Sequence, residues 1–222
     1  MTSVNYVKAS VKNIEDSAKR RFNRTLPMKA TTPMQANYSP ELNGTPELND
    51  DETQFFQELI GVLRWATEIG RVDILHETSI LSQYLGCPRQ GHLDQALHIV
   101  SYLKKKLKLT LYFDTQLPQV EVISSTKRDA FKEIYRDAEE SRPHRMPVPR
   151  GRAVTTMAFV DASHAANKVT RRSHTGFIIF VNRAPITWFS KRQSTVESST
   201  FSSEFIAMRA CVEAIEHLRF KN

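Results

Sequence analysis

Thr155-Thr156-Met157-Ala158-Phe159-Val160-Asp161 opens the stretch that decides the fold. It is a β-branched and apolar run that stops on a carboxylate, which reads as a strand. A basic loop follows, and residues 175–181 and 186–191 then read as two further strands. From Thr200 the apolar period changes from two to 3.6, and Phe201, Phe205, Met208, Val212 and Ile215 fall on one stripe, the expected packing face of a helix. Three antiparallel strands and a closing helix are therefore expected over residues 153–222.

Two acids in this stretch carry chemistry. Asp161 shares a strand face with Met157 and Phe159 by the period of two. Glu204 falls about 60° from the centre of the helical stripe, beside Ala207 and Cys211, at ~100° per residue. Two carboxylates within ~4 Å repel by ~4 kcal/mol at an effective dielectric of about 20. Such a pair persists when one acid is protonated or a divalent cation lies between them. Carboxylate donors suit Mg²⁺ or Mn²⁺. The plainer alternative is that Asp161 caps a turn and Glu204 is a surface glutamate.

Between the acids, residues 162–196 hold six Lys or Arg and no Asp or Glu. Lys168, Arg171, Arg172, Lys191 and Arg192, with Ser173 among them, form the donor set that grips phosphates. The whole chain of 222 residues carries a net charge of +7, which points to a polyanionic partner, nucleic acid before membrane. Hydrophobic content of 40% and charged content of 25% are those of a globular domain. No run is long and apolar enough for a signal peptide or membrane span, so no membrane partner is expected. Cys87 and Cys211 lie far apart with no metal spacing, which fits a reducing compartment. Phosphate-binding glycine loops and nucleophile elbows are absent from the sequence.

Outward toward the N-terminus, Val4, Val7, Val11, Ile14, Ala18 and Phe22 step by three and four as an amphipathic helix. Residues 25–51 are broken by Pro27, Pro33, Pro40 and Pro46 and read as an irregular connector. Helices are expected from the acids at 50–52 to Gly70, over 72–85, and over 92–106, followed by a short strand at 109–113. Trp65 and Trp188 lie among apolar neighbours and read as core. His92 and His98 are six apart on one helix and face different ways, which argues against zinc. The chain thus divides into a helical module (1–114), a polar linker (115–152) with an optional helix at 129–140, and the β-rich module (153–222). The opening at Met1, straight into a helix, suggests a piece of something longer.

At this point the residues resemble a known family. Phe159-Val160-Asp161-Ala162-Ser163-His164, Thr170-Arg171-Arg172-Ser173-His174-Thr175-Gly176, Trp188-Phe189-Ser190-Lys191-Arg192-Gln193 and Ser203-Glu204-Phe205-Ile206-Ala207 are similar to the N-terminal half of the ribonuclease H domain of copia-type retrotransposon polyproteins. Phe56-Gln57-Glu58-Leu59-Ile60-Gly61, Arg71-Val72-Asp73-Ile74 and Tyr102-Leu103-Lys104-Lys105 resemble the C-terminal, thumb-side part of its reverse transcriptase. The resemblance implies an α+β fold, a thumb-like helical module joined to a truncated ribonuclease-H-like module.

It further implies Asp161 and Glu204 as catalytic and metal-binding residues in a two-metal hydrolysis of the RNA strand of an RNA–DNA hybrid, with Mg²⁺ or Mn²⁺ as cofactor. The rest of the polyprotein would be a partner, and the setting would be cytoplasmic, in a virus-like particle, or nuclear. The polymerase's Asp-Asp turn and the nuclease's later aspartates have no counterpart here, since Asn49-Asp50-Asp51 lies in the connector. Ala166 stands where relatives carry glycine. The expectation is a piece inactive as polymerase and nuclease, with a non-catalytic nucleic-acid-binding module or a decayed remnant as alternatives.

Overall fold

The computed structural model describes residues 3–119, 136 and 151–219. Its described residues form an α+β fold of five helices and one three-stranded antiparallel sheet. The helices are α1 (Val4–Phe22), α2 (Asp50–Glu68), α3 (Leu75–Leu81), α4 (Gln90–Lys105) and α5 (Thr200–Arg219). The strands are β1 (Thr156–Ser163), β2 (His174–Val181) and β3 (Ala184–Arg192).

The helical part closes around Val7, Val11 and Ile14 of α1, Phe56, Leu59 and Leu63 of α2, and Leu93, Ile99 and Val100 of α4. Asn49 caps α2 by accepting from Glu52 N at 2.9 Å, while the Glu52 carboxylate reaches back to Asn49 N, a reciprocal capping box. The α2 helix stops at Gly70, whose φ of 105° is open to glycine and closed to most side chains. A Cβ there would also press on Leu111 at 3.1 Å.

The helix expected over 72–85 is α3 flanked by two 3-10 turns, Val72–Ile74 and Ser82–Tyr84. Ser82 Oγ donates to Thr78 O at 2.7 Å, a back-bond that favours such tightening. The strand expected at 109–113 does not form: only Thr110 makes a bridge, and Leu111 packs instead against the end of α2. The optional helix at 129–140 lies almost wholly outside the described residues.

The connector after α1 is irregular, as its prolines require, and it is held along α4. His92 Nε2 and His98 Nε2 contact Pro40 O and Thr32 O, both at 3.0 Å; Gln95 Nε2 donates to Pro33 O at 3.3 Å, and Ser101 Oγ to Pro27 O. Polar donors spaced by three on one helix satisfy carbonyls that a proline-rich segment cannot pair within itself.

In the sheet β2 is central, with Asp161 opposite Gly176 and Ser190 opposite Gly176 from the other side. The two-residue turn between β2 and β3 places Asn182 at φ 55°, and Asn182 Oδ1 accepts from Thr155 N. In the loop joining β1 to β2, left-handed backbone falls on Ala165 (φ 48°) and Arg171 (φ 56°), so the strained position is Ala165 and not Ala166. Among the described residues β1 is an open edge.

The α5 helix packs on one face of the sheet, but not through the stripe its sequence suggests. Ser203, Ala207 and Cys211 are buried, with Ala210, Ala214, Ile215 and Leu218 beside them, against Ala158, Phe177 and Ile179. Phe201 (78% exposed), Phe205 (52%), Met208 and Val212 face outward. Small side chains let the helix axis approach the sheet, and the large apolar ones are left about 130° around the helix.

Candidate functional site

Strand alternation divides the sheet into two faces. Ala158, Phe177, Ile179 and Phe189 face α5. Phe159, Asp161, Gly176, Ile178 and Ser190 face the helical module, where they line a cavity of about 380 Å³ closed on its other side by Val72, Leu75 and His76. Asp161 is exposed at this cavity. Glu204 rides on α5 over the opposite face, half-buried at the boundary between the buried alanine face and the exposed aromatic stripe. It is absent from the cavity lining. Among the described residues no group of three or more His, Cys, Asp or Glu is arranged to hold a metal ion.

The loop and strand-end residues follow different courses. Lys168 is spent on the helical module: its N–H donates to Glu41 Oε1 at 3.0 Å and its Nζ to Ser39 Oγ at 2.8 Å. Ser173 is 0% exposed, and its Oγ accepts from Ala165 N at 3.0 Å, so it fixes the loop and offers nothing to a phosphate. Arg171 and Lys191 are exposed, while Arg172 and Arg192 are half-buried along a cavity of about 220 Å³ between the two modules. Gln193, quoted in the motif but given no role by the sequence, is buried and donates to both Thr175 Oγ1 and Ser203 O, tying the end of β3 to α5. Its only sequence signal is a polar residue directly after a strand.

The modules also meet directly. Ser79 Oγ donates to Ser190 O at 2.7 Å and Trp188 Nε1 to Thr67 O at 3.0 Å. His76 and His174 sit edge to face with ring centroids 4.8 Å apart. His174 is buried, and desolvation, with His76 and Arg192 nearby, lowers its pKa to about 4. Its Nε2 lies 2.8 Å from Ser190 Oγ. Trp188 is therefore half-buried at the junction, and Trp65, expected in the core, is 56% exposed on α2.

Fold and site together define a helical module docked on a three-stranded sheet, with one acid on each side of that sheet. No family model matches the chain, and no solved structure matches it. It is 24% identical over 161 residues, 72% of its length, to a Saccharomyces cerevisiae protein named for the transposon Ty5-1. It is 25% identical over 153 residues, 69% of its length, to an uncharacterized mitochondrial protein of Arabidopsis thaliana. A third relative, a secreted RxLR effector protein of Plasmopara viticola, is 28% identical over 91 residues. The matches cover 41% and 49% of the first two relatives' own lengths and 64% of the third's.

Proposed function

We propose that this chain is a piece of a copia-type retrotransposon polyprotein, spanning the end of its reverse transcriptase and the first part of its ribonuclease H domain. The observation that carries this reading is the order β1–β2–β3–α5, with Asp161 late in β1 and Glu204 in the second turn of α5. Similarity to a protein named for the transposon Ty5-1 supports the same origin. The resemblance makes Asp161 and Glu204 candidate magnesium ligands and the rest of the polyprotein a partner, but the register sets Asp161 on the sheet face away from α5.

The described residues do not by themselves fit a magnesium centre. Two carboxylates on opposite sides of a sheet, without a third, leave most of a hexacoordinate ion's shell to water. No hydrolytic step is therefore assigned to the described residues alone. Titration with Mn²⁺, read by loss of the free-ion paramagnetic signal, tests the point. Binding no tighter than millimolar, unchanged in Asp161→Asn and in Glu204→Gln, is the expected outcome. Micromolar binding lost in both variants would refute it.

A further inference from the structure

The α5 helix gives its small residues to the sheet, and the helical module lies beyond the opposite sheet face. The described residues leave Phe201, Phe205, Met208 and Val212 open on its outer side, with the two phenyl rings side by side at 6.4 Å between centroids. The spacing of these four is specific. Steps of four, three and four place Phe201 and Met208 at d and Phe205 and Val212 at a of a heptad, the seam of a two-stranded coil. Ile215, the next d residue, is half-buried beside the sheet, so the open seam is about two heptads long. The same register sets Glu204 at g and Arg209 at e, on opposite flanks of the stripe.

Those flanks select the occupant. In a parallel pair each g residue meets the following e residue of the other helix, so Glu204 of each copy meets Arg209 of the other, twice across a two-fold axis. An antiparallel pair that keeps all four apolar residues in the seam joins g to g and e to e, and brings no opposite charges together. Arg209 is held at present by Glu213 at 2.8 Å with 72% of its side chain exposed, a weak pair that exchanges readily for another. Phe201 and Phe205 offer on the order of 250 Å² of open ring surface per copy. With Met208 and Val212 included, two copies would bury on the order of 900 Å², the size of a transient contact and not of an obligate dimer. We infer that two copies of this chain associate weakly and reversibly through α5, parallel and side by side, with Phe201, Phe205, Met208 and Val212 in the seam and Glu204 of each copy against Arg209 of the other. The pairing needs no other part of a polyprotein.

Analytical ultracentrifugation of the full chain from about 5 to about 300 µM tests it. The mass should rise reversibly from one copy, 25.5 kDa, toward two, with the midpoint in the tens of micromolar. Phe201→Ser/Phe205→Ser should weaken association about tenfold or more. Glu204→Lys alone and Arg209→Glu alone each set like charges against each other at both flanks, and each should weaken it about fivefold. Mixed in equal amounts these two variants should associate as the unaltered chain does, because each presents the charge the other lacks. Circular dichroism confirms that each variant is folded, and rescue by mixing cannot arise from misfolding. A mass that stays at one copy throughout, as when a different protein covers the stripe, would overturn the proposal. So would association that survives Phe201→Ser/Phe205→Ser, which would place the contact elsewhere, as at the open β1 edge. Growth past two copies, or charge variants that mixing does not rescue, would overturn it equally.

Discussion

Replacing His174 by Gln should flatten the acid limb of the protein's stability curve. The imidazole is buried against His76 and Arg192, and its pKa falls from 6.5 to about 4 in the folded chain. A histidine with a depressed folded pKa stays neutral where the unfolded chain already binds a proton. Stability is therefore whole above pH 6.5 and is lost as pH falls from there toward 4, after which this group contributes no further change. The gap of two and a half units amounts to about 3 kcal/mol, since each unit is worth about 1.4 kcal/mol. His92, also lowered by burial, acts in the same direction and remains in the variant. Gln retains a partner for Ser190 Oγ. Urea unfolding at pH 7 and pH 4.5 should show the native chain losing about 2 kcal/mol more than His174→Gln. Equal losses in the two proteins would refute the burial argument.

The two faces of α5 make a second test. Phe205→Ser, on the exposed stripe, should change stability by less than about 0.5 kcal/mol, while Ala207→Leu, at 0% exposure, should cost about 1–3 kcal/mol by overpacking. The reverse order in urea unfolding would restore the aromatic stripe as the packing face. Asn49→Ala removes the capping box of α2 and should cost about 1 kcal/mol, a fall of about 2–4 °C in Tm by thermal circular dichroism.

These contrasts show where sequence and structure part. The strands were legible because their β-branched and apolar runs are local signals, and α1, α2 and α4 because each has one unambiguous apolar stripe. The α5 helix has two: a large aromatic and aliphatic one, and a small one of Ser203, Ala207 and Cys211. Hydrophobicity ranks the first higher, but close approach to a sheet selects the second. The contacts of His92, Gln95, His98 and Ser101 with the connector depend on which carbonyls the prolines leave unpaired, a property of the folded path. Asp161 and Glu204 were legible as residues, whereas their separation by the sheet follows from register and from the face α5 covers.

The most direct measurement of the central claim is an RNA–DNA hybrid cleavage assay with the purified chain in Mg²⁺ and in Mn²⁺. No metal-dependent release of cut RNA is expected, with Asp161→Asn and Glu204→Gln indistinguishable from the unaltered protein. Metal-dependent cleavage that disappears in both variants would contradict it.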